Sequence, residues 1–283
     1  MKISRIWKIY FSATGTTKKV VDELASALEK KLGTKGKNCN PMELLSYDFT
    51  LPQGRTSFAD ISDDDLVIFG VPTYAGRVPN VLLKYLNTII GNGAMAVPVV
   101  TFGNRNFDNS LMELRDVLEN AGFHTVAAAA LSCEHSFSYI LGAGRPDEQD
   151  FDEIHLFAEK LADSLTNLLH IPTPVSVPGI PGSYGGYYQP QDRNGIHIDI
   201  RKVVPKVKDT CINCGLCSRI CPMGSISPNN IRQFTGICIK CGACYKKCPV
   251  SARYFDDPGY IYHKEELEEL YQRRAKNIFF ISL

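Results

Sequence analysis

Over its first 170 residues the chain alternates short apolar runs with amphipathic stretches, the pattern of a parallel sheet covered by helices. Strands are predicted at "IWKIYF" (6–11), around Met42–Leu45, and at "DLVIFGV" (65–71), "AVPVVTF" (96–102) and "TVAAAAL" (125–131). Between them the apolar period lengthens to that of a helix. Val20, Val21, Leu24, Leu28 and Leu32 share one face of 16–32, and Ile154, Phe157, Leu161, Leu165 and Leu168 share one face of 150–169. Further helices are predicted near 79–90 and 108–121, the second stopped by Gly122. Five strands and five crossover helices make a doubly wound α/β fold, which places ligands at the C-terminal ends of its strands.

The period fails at "IPTPVSVPGIPGSYGGYYQP", a Pro/Gly-rich boundary. The chain therefore divides into a first domain (1–169), a linker (170–202), a cysteine-rich domain (203–258) and a C-terminal helix and tail (259–283). Three tyrosines so close together predict a linker that packs on something. "IHIDIRK" (196–202) alternates like a short strand, and 264–276 reads as an amphipathic helix. The apolar tail "NIFFISL" packs on its own domain or, as the alternative, joins two copies in a homodimer.

Ten cysteines change the picture, because eight of them form a repeat: Cys211, Cys214, Cys217, Cys221-Pro222, then Cys238, Cys241, Cys244, Cys248-Pro249. Each run is C-x2-C-x2-C-x3-C-P, in which three thiolates wrap one [4Fe–4S] cube and the fourth ligates the other cube. One cluster is thus expected on Cys211, Cys214, Cys217 and Cys248, and a second on Cys238, Cys241, Cys244 and Cys221. Gly215 and Gly242 let the backbone fold closely round each site. A zinc ribbon needs only two separated pairs, and disulfides conflict with a reducing compartment. The segment resembles a bacterial-type two-cluster ferredoxin, a small α+β domain. Cys39 and Cys133 lie outside the repeat and read as small buried hydrophobes.

The first predicted strand ends in "SATGTT" (12–17). Hydroxyls on Ser12, Thr14, Thr16 and Thr17, the glycine Gly15 and a following helix N-terminus suit a phosphate. A capping sequence is the plainer reading. Neither a Walker A motif nor G-x-G-x-x-G is present. With Ala13 this loop resembles the FMN-phosphate loop of flavodoxins, and the resemblance extends over about 1–168. It implies a flavodoxin-like domain whose "VPTYAGRVP" loop (71–79) covers the flavin ring. Tyr74 would stack on the ring, flanked by Pro72 and Thr73, while Ala75 and Gly76 bring backbone close and Gly76 allows a peptide to turn over as the ring gains a proton. In "TFGNRNFDNS" (101–110), Phe102, Gly103, Asn104 and Asn106 would meet the pyrimidine end. After the fifth strand, Glu134 and His135 either touch the flavin and conduct its proton, since histidine titrates near neutrality, or belong to a solvated loop.

Composition adds a compartment and a charge asymmetry. The chain is 44% hydrophobic and 22% charged, without a leader-like start or a run long enough to span a membrane; a cytoplasmic protein is expected. Residues 201–263 hold ten Lys/Arg against three Asp/Glu, whereas the first 200 hold 17 against 23. The basic residues interleave with cysteines rather than aromatics, so a nucleic-acid surface is not expected. The acidic first domain is the nearest complement. A flavodoxin–ferredoxin fusion implies an electron-transfer protein linking FMN to two clusters and meeting redox partners, either ferredoxin-like donors or acceptors or larger oxidoreductases. A flavin-dependent reductase of a small molecule or quinone, and a redox or iron sensor, are the alternatives.

Overall fold

In a computed structural model, residues 3–35 and 42–282 are described; Cys39 lies outside them. The first domain runs β1 (Arg5–Tyr10), α1 (Thr16–Lys35), β2 (Glu43–Asp48), β3 (Asp65–Pro72), α2 (Asn80–Leu86), β4 (Met95–Phe102), α3 (Ser110–Asn120), β5 (His124–Thr125), β6 (Ala127–Ser132) and α4 (Glu148–Thr166). The parallel order is β2-β1-β3-β4-β6, with the two residues of β5 also on β4. Taking β5 and β6 as one strand interrupted at Val126, this is the 2-1-3-4-5 order of the flavodoxin-like doubly wound fold.

Successive strand residues serve opposite faces. Leu66 and Ile68 pack with Val21, Leu24, Leu28, Phe157 and Leu161 of α1 and α4. Val67 and Phe69 pack with Leu82, Leu86, Leu111 and Leu118 of α2 and α3. Burial on both faces explains why β3 and β4 read as unbroken apolar runs.

Among the described residues four helices cover this sheet, not five. β2 and β3 are joined by an irregular stretch with a single 3-10 turn at Pro52–Arg55, because Pro52 and Gly54 interrupt any longer helix.

The linker is ordered on the first domain. The Tyr184 hydroxyl donates to Asp116 (2.7 Å) and that of Tyr187 to the Val78 carbonyl (2.9 Å). Arg77, paired with Glu113, lies 5.0 and 4.9 Å from the two rings. Residues 196–202 form no strand: His197 makes one isolated bridge to Gln191, and Ile196 and His197 are exposed, with no neighbouring strand to complete a ladder.

The cysteine domain comprises β7 (Lys206–Val207) paired with β8 (Arg253–Tyr254), and the short helices α5 (Leu216–Arg219) and α6 (Ala243–Lys246). α7 (Pro258–Leu270) begins six residues before the predicted helix, where Asp257 accepts from the Tyr260 amide (2.9 Å) and Pro258 occupies the first turn. β9 (Ile278–Ile281) then pairs antiparallel with β6. The tail therefore completes the edge of the first domain's sheet.

Phe279 of β9 stacks on Phe157 of α4, with centroids 4.8 Å apart. Phe157→Ala is expected to lower the unfolding free energy by about 3–5 kcal/mol in urea melts followed by far-UV circular dichroism. A loss under about 1 kcal/mol would show that β9 does not seat on α4 in solution.

Candidate functional site

The two cysteine runs fold into matching turns. Gly215 and Gly242 precede α5 and α6 in the left-handed conformation, with φ of 70° and 77°. The sulfurs gather round two cavities. Cys211, Cys214, Cys217 and Cys248, with Cys244 beside them, line the first; Cys238, Cys241, Cys244 and Cys221 line the second. None of these eight is in a disulfide. Zinc would draw four ligands to within about 2.3 Å of one point, and no such convergent group occurs among the described residues. Burial pushes the Cys241 thiol up to about 12 and raises Cys238 and Cys244 as well, so these sulfurs keep their protons until a metal displaces them. Cys248 moves the other way: burial opposes ionisation, but amide hydrogen bonds from Ala252, Val250 and Arg253 outweigh it. Arg253, buried, also donates to Cys217 Sγ at 3.1 Å. Cysteine sulfurs set round two cavities suit a soft multinuclear cluster, which would bind them as thiolates.

The strand-end face of the first domain holds a third, narrow cavity of about 50 Å3, and the size of a small-molecule site is reached only by the cleft of about 530 Å3 with which it shares Thr14, Thr16 and Glu134. Ala13, Thr14, Thr16 and Thr17 line it, together with Pro72, Thr73, Tyr74, Phe102, Gly103, Glu134 and His135. Among the described residues, none accepts from the backbone amides of Ala13–Thr17, so the start of α1 presents free donors. Ser12 serves the loop differently, with its hydroxyl accepting from the Lys18 amide (2.9 Å). Gly15 faces an adjoining open cleft that Thr14, Thr16 and Glu134 share, lined also by Lys18, Lys19, Lys246 and Lys247.

Four residues expected at the ring do not line this cavity. The Ala75 carbonyl accepts from Tyr188 (2.8 Å) and the Gly76 carbonyl from Asn109 (3.1 Å), so turning over that peptide would cost a hydrogen bond. Asn106 Oδ1 accepts from the Phe107 amide (2.8 Å) and closes its own turn. Asn104 is buried, donates to the carbonyls of Tyr271 (2.7 Å) and Arg273 (2.6 Å), and accepts from Ser132 and Ala275. Its amide is committed to the C-terminal segment.

His135 is no near-neutral titrator. Burial lowers its pKa to about 3, so the ring is neutral. Nδ1 accepts from the Phe137 amide (3.0 Å), which leaves the proton on Nε2. The ring lies so close to Gly103 that a Cβ there would come within 2.1 Å of His135 Cδ2. Burial and the neighbouring Cys241 and Cys238 raise the Tyr74 phenol well above its ordinary value. Glu134, half-buried, pairs with Lys246 of the cysteine domain.

Residues 210–253 match the family model of the 4Fe-4S dicluster domain. The chain joins a flavodoxin-like fold to a 4Fe–4S dicluster segment. Among solved structures, the flavodoxin of Streptococcus pneumonia TIGR4 is 19% identical over 56% of this chain and 99% of its own, with a TM-score of 0.37. Oxidised flavodoxin 1 from Bacillus cereus is 18% identical over 58% and 99% (TM-score 0.39). Rubredoxin oxygen:oxidoreductase from Desulfovibrio gigas is 15% identical over 58% of this chain and 37% of its own (TM-score 0.39). It is the strand order, rather than these likenesses, that carries the fold. Among curated protein sequences none matches. No helix among the described residues is long and apolar enough to cross a membrane.

The dicluster segment docks on the loop after β6. Cys241, one of its most buried cysteines, is also a wall of the cavity beside Ala13–Thr17, next to Ser136. Phe137 packs on Tyr260 (4.8 Å), Tyr139 on Tyr245 (5.1 Å), and the Ser138 hydroxyl donates to Glu268 (2.5 Å). Sequence reasoning missed Ser136 and Cys241 as walls of this cavity and Lys246 as a wall of the adjoining cleft. The one local signal was Gly242, where any Cβ would sit 2.6 Å from the Ser136 carbonyl.

Gly242→Ala adds that clash to a left-handed strain of about 1–2 kcal/mol. Hydrogen exchange is expected to speed up at 134–139 and 242–246 and to stay unchanged in β1 and β3. Unchanged protection at 134–139 would refute the close approach.

Proposed function

We propose that the chain is an electron-transfer protein that relays electrons between FMN in the first domain and two [4Fe–4S] clusters in the second, coupling one-electron to two-electron partners. The observation that carries this reading is the shared wall: Cys241 lines both the second cysteine cavity and the cavity of the phosphate loop. Electron transfer weakens steeply with distance, so a ligand at the edge of the flavin site sets a short path. FMN would supply one- and two-electron chemistry, and each cluster one electron.

The chain's own residues supply binding and insulation. The free amides and hydroxyls of Thr14, Thr16 and Thr17 would hold the phosphate. Neutral His135 would offer its Nε2 proton as a donor, and Tyr74 would close the wall toward Cys238 and Cys241. The sulfurs of Cys211, Cys214, Cys217 and Cys248 would hold the distal cluster, and those of Cys221, Cys238, Cys241 and Cys244 the proximal one.

Anaerobic reductive titration of the reconstituted protein is expected to consume about four electrons per chain, two at the flavin and one at each cluster. Uptake of clearly fewer than four would overturn the assignment.

Arg253 places a buried positive charge on a sulfur of the distal set. Arg253→Gln is expected to lower that cluster's midpoint potential in EPR-monitored titration. The shift should be at most roughly 60–130 mV, the one-electron equivalent of a charge-assisted bond of about 1.5–3 kcal/mol. An unmoved potential would remove Arg253 from the tuning of this centre.

A further inference from the structure

The two cysteine sets differ in what surrounds them. The proximal set faces inward, with Cys241 only 8% exposed at the cavity wall. Of the eight, Cys214 of the distal set is the one classed as exposed. Around it the surface is apolar at its centre: Ile212 is 61% exposed, Val250 37%, and both line the distal cavity. Exposed apolar side chains grouped at a cofactor site mark a contact surface more often than scattered ones do.

Its rim is cationic. Lys208, Arg219 and Lys247 are exposed, and among the described residues none has a carboxylate partner. Arg219 Nη1 donates to the carbonyl of Cys214 (3.0 Å), and Lys247 lines the cavity itself. Arg232, on the same segment, is matched by Asp209 at 3.3 Å. Over 208–253 seven basic residues face one acidic. An oxidised four-thiolate cube carries about −2, so three unpaired cations plus Arg253 leave this face positive.

Resting on the relay reading, we propose that electrons cross to and from the outside over the distal set, through a surface centred on Ile212, Cys214 and Val250 and rimmed by Lys208, Arg219 and Lys247. The partner is a protein that carries a one-electron centre beneath an acidic face. A single electron crosses: one centre is oxidised as the other is reduced, and no bond forms or breaks. An apolar centre with a charged rim fits the anatomy of a small transient interface, and the unpaired cations supply steering toward an acidic partner. The proximal set has no comparable face. Its one exposed apolar neighbour is Ile237 (65%), and nearby Lys240 is committed to the carbonyls of Arg201 and Cys238.

The test uses the full holo-chain with a photoreduced acidic [2Fe–2S] ferredoxin as probe, in stopped flow. At low ionic strength Ile212→Glu, Lys208→Glu and Lys247→Glu are each expected to slow cluster reduction by about tenfold, with the charge effects fading in salt. Ile237→Glu is expected to stay within about twofold of the parent. Carbodiimide cross-linking of the oxidised proteins is expected to join probe carboxylates to Lys208 and Lys247. Cross-links confined to other lysines, or Ile237→Glu slowing the reaction while Ile212→Glu does not, would overturn the proposal. Unchanged EPR signals confirm that each variant keeps its clusters; should Lys247→Glu lose them, Lys208→Glu and the cross-links decide alone. Photoreduction with a small mediator separates the two readings. If the clusters fill but the flavin does not, the relay fails, and the cross-links still judge the surface.

Discussion

The arrangement of the two domains depends on one closure: the chain returns at its C-terminus to the sheet it began with. Asn104, at the end of β4, accepts the Ala275 amide and donates to two carbonyls of 271–273. Beside it, fully buried Asp150 receives Arg145, Arg274 and Asn277. The Asp147 amide donates to it as well (3.0 Å), and removing a partner from a buried carboxylate is strongly destabilising. The network therefore fixes where the segment after α7 must run, and β9 follows from it. With the linker tyrosines holding the other end, the cysteine domain is a loop closed at both ends on one scaffold. Its ordering entropy is met once, and little freedom remains for it to leave the strand-end face.

From that closure follows the intimacy of the two sites. The loop after β6 is held between β6 and α4, and it presents Ser136, Phe137 and Tyr139 to the dicluster segment. The contacts are mostly aromatic and backbone, reinforced by the Glu134–Lys246 pair. Such contacts require close approach, which Gly242 permits and a Cβ would forbid. A flavodoxin and a ferredoxin meeting in solution must find one another for each transfer. In the proposed relay that encounter is replaced by a fixed wall, in which one cysteine lines both cavities.

What could be read from the sequence was local chemistry and periodicity. The apolar runs located the strands because burial on both faces leaves no alternation to misread. The cysteine repeat carried its chemistry in spacing alone, and "SATGTT" announced a helix start with hydroxyls. The partners of polar side chains were not legible, because they are decided by residues far away in the chain: Asn104 by Arg273, Glu134 by Lys246. Asn104 in a strand-end loop looks like a ligand until the tail arrives and claims it. His135 would titrate near neutrality in solvent, and burial, with His263, Lys246 and Arg105 nearby, moves it to about 3. The alternation of 196–202 was real but had no neighbouring strand to pair with. A period of two describes side chains, whereas a strand also needs a neighbour.

The charge asymmetry divides into two uses. Viewed as sums, an acidic first domain and a basic cysteine domain suggest that opposite charge draws them together. The pairs that actually cross are few: Lys246 to Glu134, and Arg274 to Asp147 and Asp150. Two of those acids belong to the capping box of α4, so they would be placed there whatever the partner. Internal docking therefore consumes little of the basic surplus, and the aromatic contacts do most of the holding. The cations left over surround the distal cysteines, where they neutralise nothing in this chain. Exposed charge without an internal partner costs little in water, and it is retained here beside the most exposed cysteine of the eight. Lys247 also borders the cleft beside Thr14–Thr16 at the seam between the domains, whereas Lys208 and Arg219 line neither cavity there and direct their field outward.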